Sequence, residues 1–109
     1  MNTDALRGHM DALLLSVLED EPLHGYAIIE ALQQRSGGAL TVPTGTVYPA
    51  LRRLERVGHL TSEWATVAGR KRRTYRLTPS GRTALHGERT AWTDFSDVIT
   101  RVLSPRPEN

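Results

Sequence analysis

The residues most able to do chemistry in this sequence are arginines, and they are concentrated in one third of the chain. Between Arg52 and Arg82 there are nine basic residues and two acidic ones, a local charge of +7, whereas the other residues sum to −5. Cations release the counterions condensed on a nucleic acid, so this distribution indicates a polyanionic partner such as duplex DNA. Thirteen of the fourteen basic residues are arginine, the side chain suited to bidentate contacts with phosphate and guanine.

Other kinds of chemistry have little support in this sequence. It contains no cysteine, which excludes disulfides, thiolate zinc sites and a cysteine nucleophile. The four histidines lack a metal-ligand spacing such as His-x-x-x-His, so we expect no metal and no cofactor. A phosphate-cradling glycine loop and clustered catalytic motifs are missing too, and we expect that the protein is not an enzyme.

Length and composition are typical of one folded, globular unit. The chain has 109 residues, of which 39% are hydrophobic and 24% are charged. Its apolar runs, such as residues 12–15, are far shorter than the ~18 residues that span a membrane. The N-terminus has no signal-peptide pattern, so we expect a cytoplasmic protein with no membrane partner.

Hydrophobic periodicity predicts the helices that must position the basic residues. They are expected over residues 8–18, 24–35 and 44–57, and the third begins near Pro43 and ends at Gly58. Its apolar stripe should face the core and consists of Val47, Leu51, Leu54 and Val57. The opposite side then presents Gly45, Tyr48, Pro49, Arg52 and Arg56, with Thr44 and Thr46 at the start.

An alternation of period two follows the third helix and predicts a β-hairpin. Its strands are expected over residues 60–67 and 73–78, with Trp64 as a core residue beneath the hairpin. Ala68 and Gly69, followed by four consecutive cations, make the connecting turn. We therefore expect a hairpin with an arginine-rich tip.

The last predicted helix is the longest. Thr78 caps it, Pro79 occupies its first position, and nothing interrupts it before Ser104. Such a helix is roughly 37 Å long, more than the rest of so small a domain can cover. We expect its heptad-like apolar stripe to form the interface of a homodimer. The stripe consists of Leu85, Trp92, Phe95, Ile99 and Val102.

Together these elements predict a mainly α protein with a small β-hairpin. A winged helix-turn-helix domain is expected over residues 1–78, and a C-terminal dimerisation helix with a short tail over residues 79–109. In that arrangement the third helix enters the major groove of DNA and the hairpin lies on the flanking backbone.

Three blocks of the sequence resemble the PadR family of bacterial transcriptional regulators. They are Leu23-His24-Gly25-Tyr26, residues 45–55 beginning Gly-Thr-Val-Tyr-Pro, and residues 73–81 beginning Arg-Thr-Tyr-Arg-Leu. The similarity extends over roughly residues 5–103, and the single last helix is similar to that of the compact subfamily. The resemblance implies a dimeric winged-helix repressor that leaves its operator when a small molecule binds, with residues 44–57 reading DNA and residues 67–73 forming the wing.

The resemblance also implies an effector site on the last helix. In some compact members a tryptophan near the dimer axis stacks on planar aromatic ligands, and Trp92 stands at the matching place. Ser96 lies one turn later, where multidrug-responsive members often have an acid, and Met10 of the first helix completes the predicted site. The alternative is that Trp92 serves only as an anchor of the interface.

The predicted DNA contacts join the third helix to the wing: Thr44, Gly45, Thr46, Tyr48, Pro49, Arg52, Arg53, Arg70, Lys71, Arg72 and Arg73. A second phosphate contact is predicted at the start of the second helix, from His24, Gly25 and Tyr26. Its alternative is that His24 caps this helix and Tyr26 packs. Burial is the alternative for Tyr48, and an ion pair with Glu55 or another acid is the alternative for Arg53.

The predicted function is that of a sequence-specific, dimeric regulator on a palindromic operator in double-stranded DNA. It would repress a nearby gene or operon until a small planar aromatic effector releases it. A protein-interaction module of the same fold, in which the winged helix binds an acidic protein surface, is the alternative.

Overall fold

The computed structural model describes residue 6 and residues 8–107 of the chain. This part forms, in order, α1 (Met10–Val17), β1 (Leu23–His24), α2 (Gly25–Arg35), α3 (Thr44–Arg56), β2 (Leu60–Val67), β3 (Arg70–Leu77) and α4 (Pro79–Leu103). The order confirms the predicted winged helix-turn-helix with a long last helix. The predicted domains begin at residue 1 and end at residue 109, so their outer ends lie outside the described residues, and the division after residue 78 stays a prediction.

The sheet has a short strand that the sequence did not predict. β1, which is two residues long, pairs antiparallel with β3, and the strand order is β1-β3-β2. So short a strand has no alternation from which it could be predicted. The register of β2 with β3 places the following residues opposite each other: Leu60 and Leu77, Ser62 and Tyr75, Trp64 and Arg73.

One hydrophobic core joins the described helices to the base of the sheet. Its buried residues include Leu14, Leu15, Ile28, Leu32, Val47, Leu51, Leu54, Leu60, Tyr75, Leu77 and Leu85. The predicted inner stripe of α3 is confirmed at Val47, Leu51 and Leu54. The prediction for Val57 is wrong: α3 ends at Arg56, and Val57 is 57% exposed where Gly58 turns the chain with a φ of 87°.

The hairpin turn is shorter than predicted and contains none of the four consecutive cations. Ala68 and Gly69 form it with φ values of 50° and 78°, the two positive angles that a type I′ turn requires. Residues 70–73 are therefore the paired beginning of β3, and the predicted start of this strand at residue 73 is wrong, although Arg70 and Lys71 do lie beside the turn at the distal end of the hairpin. Trp64 is also misplaced: it is on the same side of the sheet as Leu60 but lies beyond the end of the core and is 66% exposed.

The first turns of α4 belong to the core. The Thr78 hydroxyl caps the helix, as predicted, by accepting a hydrogen bond of 3.0 Å from the Gly81 amide. Gly81 is buried where a Cβ would overlap the His59 carbonyl oxygen. Leu85 is 2% exposed and packs in the same core. Its predicted place in a dimer interface is wrong, because residues of its own chain cover it.

Beyond Leu85 the helix leaves the core and keeps contact with the rest of the protein through Arg89 and Trp92. Its remaining turns project outward, and the molecule measures 65 × 28 × 22 Å. Large apolar side chains of this outer half are exposed: Trp92, Phe95, Val98, Ile99, Val102 and Leu103. Within the described part of the chain, no helix has the length and apolar character needed to cross a membrane.

Candidate nucleic-acid interface

The side of α3 that faces away from the core carries the small and polar residues predicted for it. Thr44, Gly45, Pro49, Arg52 and Arg56 are exposed, and Thr46 is half-buried. Pro43 precedes the helix with an extended backbone, and its carbonyl accepts the amides of Thr46 and Val47. This surface therefore stands on a rigid helix whose other side is anchored in the core, which is the arrangement of a helix that enters the major groove.

Two adjacent arginines of α3 have different surroundings. The Arg52 side chain is exposed and makes no ion pair or hydrogen bond with any described residue. Arg53 lies about 100° further around the helix and donates a hydrogen bond to the carboxylate of Asp11 in α1. The alternative of an ion pair for Arg53 is the one the structure shows, with Asp11 and not Glu55 as its partner. Arg52 is the member of the pair that is available for a base edge.

Tyr48 joins α3 to the start of α2. Its ring is half-buried and packs against the core. A Cβ at Gly25 would lie 2.6 Å from the Tyr48 hydroxyl oxygen, so only glycine fits beneath the ring. Packing beneath the Tyr48 ring therefore explains the glycine at position 25, which is also predicted to bind phosphate.

The start of α2 lies beside the hairpin. His24 precedes the helix with an extended backbone, but its side chain makes no capping hydrogen bond. Tyr26 is 51% exposed, and the Arg72 guanidinium lies over its ring, 5.2 Å from the centroid. A side-chain cap by His24 is therefore wrong, whereas Tyr26 packs against Arg72 and keeps about half of its surface exposed. The phosphate contact at residues 24–26 stays a prediction.

The consecutive cations of β3 divide into two pairs. The side chains of Arg70 and Lys71 are exposed and make no ion pair or hydrogen bond with the part of the chain that the structure describes. Arg72 lies over Tyr26, and Arg73 is held by Ser62 and Glu55. Two of the four predicted contacts are therefore available for a phosphate, and two already have partners within the chain.

An aromatic cluster occupies the predicted effector site, and one of its members was missed. Trp92 is 54% exposed. The His9 ring meets it edge-on, with centroids 5.3 Å apart, and the Phe95 ring lies beside it at 6.0 Å. His9 is distant from Trp92 in the sequence, so no local spacing could have indicated this contact.

The other residues predicted for the effector site have contacts of their own. Met10 packs against the core, and the Ser96 hydroxyl donates to the Thr93 carbonyl at 3.2 Å. Among the described residues, no three or more His, Cys, Asp or Glu side chains are grouped so that they could hold a metal.

The pKa values of side chains are shifted at two places where elements pack together. Burial raises the pKa of the Tyr75 phenol at the base of the hairpin, and the Glu55 carboxylate raises it further. Where α1 meets α4, Arg89 donates two hydrogen bonds of 2.9 Å to the Glu19 carboxylate. This contact lowers the pKa of Glu19 and raises the pKa of Arg89.

Comparison with known proteins agrees with this arrangement. The family model described as the transcriptional regulator PadR-like family matches residues 14–87, a stretch that includes α2, α3, the sheet and the first turns of α4. The transcriptional regulator Rv3488 of Mycobacterium tuberculosis is 44% identical over 80 residues, which cover 73% of this chain and 72% of that protein.

Solved structures share the fold over nearly the whole chain. A transcriptional regulator from Clostridium thermocellum has 26% identity and a TM-score of 0.85, and the match covers 94% of this chain and 100% of that one. A PadR family transcriptional regulator from Eggerthella lenta has 31% identity and a TM-score of 0.81, with 94% and 88% covered.

Proposed function

This chain belongs to the PadR-like family of transcriptional regulators, and we propose that it acts as a homodimeric repressor that reads a palindromic operator with α3. Regulation of transcription through DNA binding is the function that the family implies, and its members are regulators and not enzymes. The contacts, the dimer, repression and release by an effector are our proposal.

The observation that carries DNA reading by α3 is its exposed polar side. Arg52 lies two turns along the helix from the small residues at its start, and its guanidinium can contact guanine O6 and N7 together. Arg70 and Lys71 of β3 supply exposed cations for flanking phosphates, which fix register without reading sequence.

The outer half of α4 supports a homodimer. Trp92, Phe95, Ile99 and Val102 repeat at heptad spacing and are exposed in the single chain. The same stripe of a second copy would cover them around a twofold axis. Two α3 helices about 34 Å apart would then meet half-sites one helical turn apart, so we expect a palindromic operator.

The cluster of His9, Trp92 and Phe95 supports release by a small planar aromatic effector. Its rings are close together. In the proposed dimer the stripe of the partner meets Trp92, so a planar molecule would stack between the two copies near the dimer axis. A ligand at this place would favour one relative orientation of the two wings over another.

The two neighbouring arginines of α3 provide the test. We expect Arg52→Ala to cost about 1–3 kcal/mol of binding and to relax specificity at one base position. Arg53→Ala is the matched control, and we expect it to leave binding almost unchanged because Arg53 pairs with Asp11. Gel-shift titrations on an operator selected from random DNA by the wild type measure both.

The opposite order of effects, with Arg53→Ala the weaker binder, would show that another side of α3 meets the DNA. A wild-type protein that binds no DNA at ~150 mM salt would disprove the proposed function and favour the protein-interaction module.

A further inference from the structure

Two carboxylates interrupt the basic third of the chain, and their partners differ. Glu63 of β2 pairs with Arg76 of β3 at 2.9 Å, within the hairpin. Glu55, near the end of α3, accepts a hydrogen bond from the Ser62 hydroxyl of β2 and lies 3.7 Å from Nη2 of Arg73 in β3. Glu55 therefore connects α3 to both long strands of the hairpin.

Arg73 completes this connection from β3. Its Nε donates to the Ser62 hydroxyl oxygen at 2.9 Å, and Ser62 in turn donates to Glu55. Its guanidinium also lies 5.8 Å from the centroid of the Trp64 ring. We term Glu55, Ser62 and Arg73 the wing link.

The wing link lies where the hydrophobic core ends. Leu60 and Leu77, opposite each other at the base of the hairpin, are buried, and so is Tyr75. Trp64 and Arg73, the next pair on this side, are exposed. Burial holds the base of the hairpin, and beyond it the wing is held by the wing link to α3 and by the contact of Arg72 with Tyr26 of α2.

We propose that Glu55 and Arg73 are positioning residues that hold the wing at a fixed angle to α3, and that Arg73 does not contact phosphate. The inference rests on the proposed function, because a fixed angle matters when α3 and the wing bind one stretch of DNA. It assigns the phosphate contacts of the wing to Arg70 and Lys71, which the link leaves exposed.

The proposal predicts an effect opposite in sign to simple electrostatics. A carboxylate within a basic surface repels DNA, so its neutralisation should strengthen binding if charge alone mattered. If Glu55 holds the wing in place, neutralising it loosens the wing. The wing must then be ordered when Arg70 and Lys71 bind phosphate, and the free energy of this ordering weakens binding.

Glu55→Gln and Glu63→Gln form the matched pair, because each removes one negative charge from the basic third of the chain, while Glu63 lies on the side of the hairpin opposite to the wing link. We expect Glu55→Gln to weaken operator binding about tenfold and Glu63→Gln to leave it unchanged or stronger. Thermal melts show that both variants are folded. Binding by Glu55→Gln as strong as that of the wild type, or stronger, would overturn the inference.

The role of Arg73 is tested by a double-mutant cycle with Arg73→Gln. If both residues act through the wing link, Glu55→Gln adds little to the loss caused by Arg73→Gln, and the salt dependence of binding keeps its slope. If Arg73 binds a phosphate, Arg73→Gln lowers that slope by about one and the two effects add, which would overturn the inference.

Hydrogen exchange in the free protein separates this inference from the proposed function. We expect Glu55→Gln to accelerate amide exchange in the outer hairpin, residues 62–73, and to leave the core helices protected. Unchanged exchange would overturn the inference without any use of DNA. Failure of the wild type to bind DNA would overturn the proposed function, and accelerated exchange would still establish that Glu55 holds the wing.

Discussion

The winged-helix body, which consists of α1, α2, α3, the sheet and the first turns of α4, differs from the outer half of α4 in what covers its apolar side chains. The leucines of α1, α2 and α3 pack in one core, and of these only Leu13 is partly exposed. In the outer half of α4, Trp92 and Phe95 are more than half exposed. The radius of gyration is 16.3 Å, above the roughly 13 Å of a compact chain of this length, because this half projects. A single chain buries the apolar side chains of the body, whereas those of the outer half of α4 need a further partner to cover them.

A single apolar stripe passes through both regions. Leu85 and Trp92 are one heptad apart on α4, yet Leu85 is buried by its own chain and Trp92 is exposed. Periodicity shows that one side of a helix is covered, but it does not show by which chain. The boundary between the two regions therefore lies between these residues.

The largest expected effect concerns the outer half of α4. Phe95→Glu should convert the proposed dimer into a monomer, because a charge would be buried at the apolar interface. Operator binding should fall by about 100-fold or more with the loss of the second half-site contact. Sedimentation measures the oligomeric state, and gel shift measures binding.

The control is Val57→Glu, which places the same charge on an exposed valine of the body. We expect it to remain dimeric. If Phe95→Glu sedimented like the wild type, the outer half of α4 would not be the dimer interface.

An intermediate effect is expected from two glycines of α4. Gly81→Ala should lower the free energy of unfolding by about 1–3 kcal/mol, because its Cβ would overlap the His59 carbonyl oxygen. Gly87→Ala places the same methyl group in open space and should be neutral, or stabilise the helix by up to about 1 kcal/mol. Urea denaturation measures both.

Equal losses in the two variants would show that the body does not end where α4 leaves the core. A loss confined to Gly87→Ala would mean that a second copy packs closely at that position.

The smallest effect is expected where the two regions join. Because the hydrogen bond from Arg89 lowers the pKa of Glu19, this carboxylate stabilises the fold above its ordinary pKa, and the contribution is lost as pH falls through the lowered value. Glu19→Gln should therefore be slightly less stable than the wild type near neutral pH and equal to it in acid. Thermal melts from pH 2 to pH 7 measure the difference, because this range extends to both sides of the ordinary carboxyl pKa of roughly 4.

Glu88→Gln serves as the control, since Glu88 is exposed on α4 and makes no ion pair with a described residue. A difference between wild type and Glu19→Gln that persisted in acid would contradict the assigned role of the Glu19 and Arg89 contact.

The architecture was readable from the sequence because it depends on local periodicity. The inner stripe of α3 and the Thr78 cap follow from residues a few positions apart. The start of the second strand was predicted three residues too late because four cations in a row were interpreted as part of the turn, although two positive φ angles at Ala68 and Gly69 suffice for it. A strand pair supports the cations instead.

The partners of the candidate site could not be read in the same way. Arg53 pairs with Asp11, 42 positions away, and Arg89 pairs with Glu19, 70 positions away. The sequence supplies the charges but not the packing of α1 against α3 and α4. The sequence offered an ion pair with a neighbouring acid as the alternative for Arg53, but it could not identify Asp11 of α1 as the partner.

The uninterrupted length of α4 has a mechanical consequence. The helix runs for 25 residues from the core to its free end, about 37 Å. A tilt of only about 5° at its base would move that end by about 3 Å, close to the rise of one base pair. In a dimer joined through the outer halves, such a tilt would change the distance between the two recognition helices, and the contact of Glu19 with Arg89, near the middle of α4, would oppose it.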